Sequence, residues 1–430
     1  MRQKKQSNKT FRGLVLELRP DDNQKVLLSK HLDGCRFIYN QYVEEYLKAL
    51  KEERIPNYKD YKELCTEYEF LKGSYSWTLQ QVLYKFKQVN KINRSKRSKD
   101  QKVGLIRFRS KKAHKDYFYS NDIKLSYSSD CKSESYVKIP KVGKVQFRCK
   151  NIKSELLNGK IKSAVVKRVK TGEYKISLCI EIDTIHEDRK DNKHIGLDFS
   201  LRDFFVDSFG AKAPEFSTKR SKMESLQQKI DSLNTAISKM RNKSKKKRKV
   251  SVKLYRLTIK CNKLYERVHN VQKDYINKLS RSLCQHNELI VLEDLDLHEM
   301  SEHTSHKDSK TSTKGGNHGK SVSLLQWNYF CKKLEQNSEK FGNVIVYADK
   351  FFPSSQICSK CGERHSEMKD VTNRTLKCKC GNIIDRDYNS AINLLKFGES
   401  VVYNKSYQTL GKEHPEYKAF KCLDFSRSNI

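Results

Sequence analysis

Four cysteines near the C-terminal end of the chain have the spacing of metal ligands. They lie within 23 residues as two close pairs, each followed by a glycine: Cys358-x-x-Cys361 and Cys378-x-Cys380. Four thiolates bind Zn²⁺ tetrahedrally at about 2.3 Å, and four protein ligands leave no open position for a substrate. The pattern therefore predicts a structural zinc site that holds together a loop too poor in apolar residues to fold alone. The alternative is four unrelated core cysteines.

Three carboxylates form a second candidate site. Asp198 and Glu293 each end an apolar segment, at 194–198 and 289–293, and Asp387 begins the helix that follows the cysteine pairs. When an apolar strand ends in an acid, that acid lies at the edge of the sheet. Oxygen ligands gathered there suit two Mg²⁺ or Mn²⁺ ions, which activate water and stabilise the leaving oxygen in phosphodiester hydrolysis.

Taken singly, each of these acids is better explained as a cap or an exposed strand-end residue. The prediction rests on the trio in order, with the cysteine pairs between its second and third members. Nearby acids rank lower, and the last of them is expected to cap the final helix: Asp203, Asp207, Asp294, Asp296 and Asp385.

The charge of the chain predicts a polyanionic partner. Lys and Arg number 88 against 51 Asp and Glu in 430 residues, which gives a net charge of +37. Cations that neutralise phosphates release counterions, so nucleic acid is the expected partner, and a membrane surface is the weaker alternative because the charge is spread along the chain. Two basic runs, 91–115 and 239–249, are the expected contacts, although each could simply be a solvated segment. Their candidate residues are Arg107, Arg109, Lys111, Lys112, Lys245, Lys246, Lys247 and Arg248.

The hydrophobic pattern of successive segments predicts an α/β chain of several domains. A strand at 11–19, helices at about 21–53 and 76–91, and short strands between 117 and 185 precede a polar linker at 186–193. After it come strands at 194–200 and 204–208, a helical hairpin at 219–280, a strand ending at Glu293, a polar loop at 301–320, a helix at 323–341 and a strand at 343–348. The three histidines of the loop could be metal ligands, but its composition is that of a flexible segment.

No apolar run approaches the roughly 18 residues needed to cross a bilayer. The other nine cysteines are isolated, which favours reduced thiols in a reducing compartment. We therefore expect a cytoplasmic protein with no membrane partner. A monomer and a dimer are both compatible with the sequence.

Five motifs together resemble the TnpB family, the transposon-encoded ancestors of the type V CRISPR nucleases. They are GLDFS, VLEDLDL, CSKC, CKCG and DRDYNSAINLL. The opening LRPDDNQKVLLSKHLDGCRFIYNQYV, the helix SWTLQQVLYKFKQV and the basic string IRFRSKK are also similar to that family. The resemblance covers about residues 11 to 396.

The resemblance implies an RNA-guided DNA endonuclease with an RNase H-like (RuvC) domain. That domain would comprise 194–354 and 385–397. Its first part would contain the inserted hairpin and a lid at 301–320. A zinc segment at 355–384 would separate the two parts, and a tail would follow at 398–430. Residues 1–185 would form a β-barrel-like wedge and helical REC modules, which bind the guide RNA (an omega or reRNA-like RNA) and read a short motif beside the double-stranded DNA target. Asp198, Glu293 and Asp387 would be the catalytic acids, and Arg386 would lie near the scissile phosphate.

The chain departs from the family pattern at three places. The second cysteine pair has one intervening residue where many members have two, GLDFS replaces the commoner GIDLG, and Ser390 stands where alanine is usual. None of these removes an acid. A catalytically silent RNA-guided repressor would have lost at least one of the three. A transposase- or recombinase-type strand-transfer enzyme fits the order of acids and cysteines less well. If the chain were a basic RNA-binding structural protein, the presence of all three acids would be a coincidence.

Overall fold

A computed structural model describes residues 9–99, 103–104, 106–111, 116–128, 135–148, 152–183, 186–247, 252–295, 325–403 and 419–424. The chain divides into two units, Met1–Thr184 and Ile185–Ile430. Among the described residues, no helix is both long enough and apolar enough to cross a membrane.

The first unit begins with a strand and a long helix, as the sequence predicts. Strand β1 (Lys9–Arg19) alternates buried and exposed positions, and helix α1 (Asp22–Lys51) begins with a capping box in which Asp21 and Gln24 satisfy each other's backbone amides. The helices that follow are α2 (Tyr61–Glu67), α3 (Ser76–Arg97) and the short α4 (Ser154–Leu157).

A seven-stranded antiparallel sheet completes this unit. Its other strands are β2 (Tyr117–Ser120), β3 (Lys124–Ser126), β4 (Tyr136–Ile139), β5 (Gly143–Phe147), β6 (Lys160–Arg168) and β7 (Tyr174–Asp183), in the order β2-β6-β7-β1-β5-β4-β3. Leu16 and Leu18 of β1 share one core with Leu28 and Ile38 of α1. Within the described residues no pairing joins the edges β2 and β3, so the barrel-like wedge remains a prediction.

The second unit is built on a five-stranded mixed sheet. The strands are β8 (Lys193–Ser200), β9 (Phe204–Asp207), β10 (Asn287–Glu293), β11 (Val344–Ala348) and β14 (Ala419–Asp424), in the order β14-β11-β10-β8-β9. Strands β8, β10 and β11 are parallel, and each edge strand is antiparallel to its neighbour. The short hairpin β12 (Thr375–Lys377) and β13 (Ile383–Asp385) lies in the cysteine segment.

Helices cover both faces of this sheet. Helices α5 (Phe216–Lys247) and α6 (Val252–His286) form the predicted hairpin and share one core with α7 (Trp327–Phe341) and with Leu197 and Leu292 of the sheet. Helix α8 (Arg386–Tyr403) shares the opposite core with Leu289 and Val291. The alternation of side chains along β8 and β10 therefore decides which residues face α8.

Two segments differ from the sequence-based description. The predicted linker at 186–193 is tied to the second unit, because Glu187 pairs with Arg281 and Lys340, and Arg189 donates to the carbonyl of Phe341. The last helix continues beyond residue 397 to Tyr403, and β14, which lies within the predicted tail 398–430, joins the sheet beside β11. The loop 301–320 lies outside the described residues.

Candidate active site and cysteine cluster

Neighbouring parallel strands bring Asp198 and Glu293 side by side. Leu197 of β8 is in register with Leu292 of β10, so the next residue along each strand is one of the two acids. Because both leucines lie in the core under the helical hairpin, both acids point to the opposite face, the one covered by α8. The apolar runs that precede the acids thus place two carboxylates at one point of the sheet.

Two glycines allow α8 to lie close enough to add the third acid. A Cβ on Gly196 would lie 2.2 Å from the carbonyl oxygen of Ala391, and a Cβ on Gly398 would lie 2.2 Å from a methyl of Val291. The helix therefore rests on the backbone of β8 and on β10, with Asp387 in its first turn. Sequence reasoning missed both glycines, although Gly196 stands two residues before an acid, on the same face of its strand.

Burial raises the pKa of all three acids, and repulsion by neighbouring carboxylates raises the pKa values of Asp198 and Asp387 further. The pKa of Asp198 is raised well above its usual value, first by burial and then by the charges of Asp387 and Glu293. Burial raises the pKa of Glu293 to about 7, and burial followed by the charge of Asp385 raises that of Asp387. The charges of Glu293 and Asp387 both raise the pKa of Asp198, and a cation beside Asp198 would relieve this repulsion.

Arg386 is a cation whose charge acts on all three acids, although Arg374, 3.6 Å from Asp387 Oδ1, has the larger effect on Asp387. The charge of Arg386 opposes the pKa rise of Asp198, of Glu293 and of Asp387. Asp385 caps α8, as the sequence predicts, by accepting from the backbone amides of Asp387 and Tyr388 at 2.9 and 3.1 Å. The cap fixes the turn that carries both Arg386 and Asp387.

Ser390 contacts the innermost acid directly. Its Oγ donates to Asp198 Oδ1 at 2.7 Å and lies 2.8 Å from Ser354 Oγ. Since a hydroxyl has one proton, Ser390 accepts from Ser354 whenever it donates to ionised Asp198. The serine that departs from the family pattern therefore fixes the orientation of Asp198 and links it to the loop after β11.

The raised pKa values predict a pH-dependent metal requirement. Divalent cations need ionised carboxylates, so protons compete with Mg²⁺ below the pKa of Glu293, about 7, and lose that competition above it. For the proton on Glu293, we expect the Mg²⁺ concentration for half-maximal DNA cleavage to rise about tenfold in total between about pH 8 and about pH 6, with most of the rise below pH 7. Mg²⁺ titrations of cleavage at several pH values measure it. An unchanged requirement over this range would contradict the site's electrostatics.

The four predicted cysteines form one cluster. Their sulfur atoms all lie within 4.8 Å of one another, with Cys358 and Cys380 at 3.7 Å and Cys361 and Cys378 at 3.4 Å. A tetrahedron with bonds of about 2.3 Å has edges of about 3.8 Å, so the set fits a metal ion and the shortened second pair keeps its ligand.

Backbone turns and a side-chain amide favour the anionic form of Cys358 within this cluster. Burial opposes ionisation of Cys358, but the side-chain amide of Asn382 and backbone amides donate to its sulfur and lower its pKa to about 6. Gly362 and Gly381, which follow the two pairs, both have a φ of +81°, a conformation that favours glycine. Each glycine amide bonds back to the first cysteine carbonyl of its pair.

Two buried asparagines join the cysteine segment to α8. Asn389 donates to the carbonyl of Ile357 at 2.7 Å and accepts from the amide of Ser359 at 2.9 Å. Asn393 donates to the carbonyls of Ile357 and Ser354. Sequence reasoning missed their role, although two asparagines four apart on one helix face were visible in DRDYNSAINLL. They connect the position of the cysteine cluster to that of Asp387.

The basic candidate residues are only partly free to contact a ligand. The guanidinium of Arg109 stacks on Tyr39, 3.7 Å from the ring centroid, and donates to Tyr117, while Lys111 pairs with Asp33 at 2.8 Å. Arg107 is exposed. Lys245, Lys246 and Lys247 end α5, but their side chains, like Lys112 and Arg248, lie outside the described residues.

Three family models match successive parts of the chain. A "Helix-turn-helix domain" model of OrfB proteins of the IS605 type matches 12–54, a "Probable transposase" model of the same type matches 177–304, and a "Cas12f1-like, TNB domain" model matches 327–394. The first matched range holds β1 and the single helix α1. In these three ranges the chain is similar to OrfB proteins of the IS605 type and to Cas12f1-like proteins.

Named relatives agree with these models. A Streptomyces pristinaespiralis protein named as an RNA-guided DNA endonuclease is 29% identical over 32% of this chain, and the match spans only 31% of that relative. The Escherichia coli K12 protein InsQ, also named as an RNA-guided DNA endonuclease, is 22% identical over 92% of this chain and 94% of its own length. The resemblance to the TnpB family is thereby confirmed.

One solved structure gives a weak match to this chain. It is titled a Cas12f1–sgRNA–target DNA complex, is 13% identical, and gives a TM-score of 0.49 over 90% of this chain and 99% of the other.

Proposed function

We propose that this protein is an RNA-guided DNA endonuclease of the TnpB type, which cuts target DNA beside a short flanking motif. The observation that carries the proposal is that neighbouring strands hold Asp198 and Glu293 on the sheet face covered by α8, whose first turn holds Asp387, and that the charges of Glu293 and Asp387 both act on Asp198. Burial and the charges of Glu293 and Asp387 disfavour the ionised form of Asp198, and a bound cation would offset this effect. The names of the relatives add the class of reaction.

The second unit is best interpreted as an RNase H-like (RuvC) nuclease domain. Parallel strands β8, β10 and β11, with β9 antiparallel beside β8, supply the sheet that this domain type requires. In this interpretation the hairpin α5–α6 is the insertion, residues 301–320 the lid, and the cysteine segment an insertion before the last helix. The first unit would hold the wedge and REC modules.

The acids would hold two Mg²⁺ or Mn²⁺ ions. When bound, such ions supply an activated water and stabilise the leaving oxygen of a phosphodiester. The chain's own residues orient the site: Ser390 holds Asp198, the Asp385 cap fixes the turn of Asp387, and Arg386 is placed to meet a phosphate near the acids. The four-cysteine cluster would hold Zn²⁺ as a structural ion.

The excess of positive charge suits two nucleic acids, a guide RNA and a double-stranded DNA target. In such complexes base pairing supplies sequence specificity, so protein cations need to follow backbones only. Exposed Arg107 is the stronger phosphate contact in its segment, because Arg109 and Lys111 already have partners within the first unit. Lys112, Lys245, Lys246, Lys247 and Arg248 remain proposed contacts.

The experiment is to purify the protein with its co-expressed RNA, sequence that RNA, and challenge a plasmid library carrying the matching target beside randomised bases. We expect Mg²⁺-dependent cutting of plasmids that share one flanking motif, and none without the RNA. Binding of the library without cutting in Mg²⁺ or Mn²⁺ would favour the silent repressor instead. Joining of DNA ends to a second molecule would favour strand transfer.

A further inference from the structure

A buried imidazole beside the cysteine cluster has one nitrogen without a partner. His365 is 8% exposed, and its backbone is held by hydrogen bonds to Gln356 and Met368. Its Nδ1 lies 3.0 Å from a carboxylate oxygen of Glu367, whereas its Nε2 is buried and has no hydrogen-bond partner in the described part of the chain. Since an ionised carboxylate only accepts, the proton is on Nδ1 and the lone pair of Nε2 is available.

This arrangement is the one that metal-binding histidines have in proteins. A ligating imidazole usually donates its other ring N–H to a carboxylate, which fixes the tautomer and the ring orientation. Glu367 takes that carboxylate role here. Most buried polar nitrogens are paired, so a buried, unpaired one in a residue that lies among other ligand residues points to an ion.

The other ligand atoms belong to Glu363 and Cys378. Ligand atoms of these two residues and of His365 all lie within 4.8 Å of one another. The sulfur of Cys378 lies 3.2 Å from Glu363 Oε2, to which it donates as a thiol. Once a metal ion in the four-cysteine cluster takes Cys378 as a thiolate, two anions face each other at that distance, and a second cation would relieve their repulsion.

We propose that His365, Glu363 and Cys378 form a second metal site, which shares the Cys378 sulfur with the four-cysteine cluster. A nitrogen, an oxygen and a sulfur ligand together suit Zn²⁺ or a similar borderline ion. The site has three protein ligands, one of them shared and one of them on the exposed Glu363, so it binds more weakly than the cluster and leaves a position for water. This inference goes beyond the proposed nuclease activity and does not depend on it.

The test is a zinc titration of metal-free full-length protein against a chromophoric chelator, with excess Mg²⁺ present to occupy the carboxylate trio. We expect two zinc ions per chain, one tight and one weaker. His365→Gln should bind only the tight ion, with its affinity unchanged, which also shows that the segment still folds. Glu367→Gln should weaken the second ion by about 10- to 100-fold, since it removes the partner that orients the imidazole.

His186→Gln is the matched control, because it removes an exposed imidazole of the same unit, and it should bind two ions like the unmodified protein. Two results overturn the proposal. One is a single zinc per chain in the unmodified protein. The other is a second zinc that persists in His365→Gln, which would assign that ion to other residues, such as the histidines of 301–320.

Discussion

Asp198→Asn is expected to lower the rate of target DNA cleavage by at least about 1,000-fold, while binding of guide RNA and target is kept. Asp198 is the acid on which the charges of the other two act, so its loss removes a ligand at the centre of the trio. Metal ions contribute several kcal/mol to such reactions, and each 1.36 kcal/mol is a factor of about ten. Cleavage of a labelled target by RNA-loaded protein measures the effect.

Two comparisons make this result specific. Glu293→Gln should lose cleavage to a similar extent, whereas Glu288→Gln, the same change at the opposite end of β10, should keep it.

In the absence of metal, Asp198→Asn should melt at or above the temperature of the unmodified protein, because it removes a charge that burial and two neighbouring acids disfavour. Cleavage within about tenfold of normal by the Asp198→Asn protein would rule out the proposed centre.

Cys358→Ser is expected to abolish both zinc binding to the cysteine cluster and DNA cleavage. Structural zinc contributes about 10–16 kcal/mol of apparent binding free energy in small zinc-dependent domains. The segment around Cys358 is connected to α8 through Asn389 and Asn393, so its unfolding would displace the turn that carries Asp387. Metal analysis, limited proteolysis of 355–384 and the cleavage assay report the three effects.

Cys65→Ser is the control for this change, because Cys65 is a free, half-buried cysteine of the first unit. It should keep zinc content, protease resistance and cleavage. If Cys358→Ser loses its zinc but cuts DNA at the normal rate, the position of Asp387 does not depend on the cluster, and the connecting role of the asparagines is wrong.

The sequence was informative where a local pattern has one structural meaning. Apolar runs that end in Asp198 and Glu293 predict strands that end in acids, and two cysteine-glycine turns predict a metal cluster. Both strands and the cluster are present in the structure. Helical periodicity gave the hairpin α5–α6 for the same reason.

Contacts between distant residues could not be predicted in this way. Gly196 and Gly398 allow α8 to approach the sheet, but a glycine in a sequence does not show what lies above it. Ser390 could be noticed as a departure, yet its bond to Asp198 joins residues 192 positions apart. Likewise, the basic run 91–115 predicts that Arg109 contacts nucleic acid, whereas its stacking on Tyr39 depends on how the loop packs against α1.

The edge strand β14 matters for anyone who shortens this protein for delivery or for fusion to another domain. It pairs along the outer side of β11, whose five residues are all buried. A chain cut before residue 419 would present that apolar strand as a free edge, which is a template for association between molecules. A compact derivative therefore has to keep residues 419–424 if it is to stay in solution, because a charge placed on buried β11 would disrupt the core.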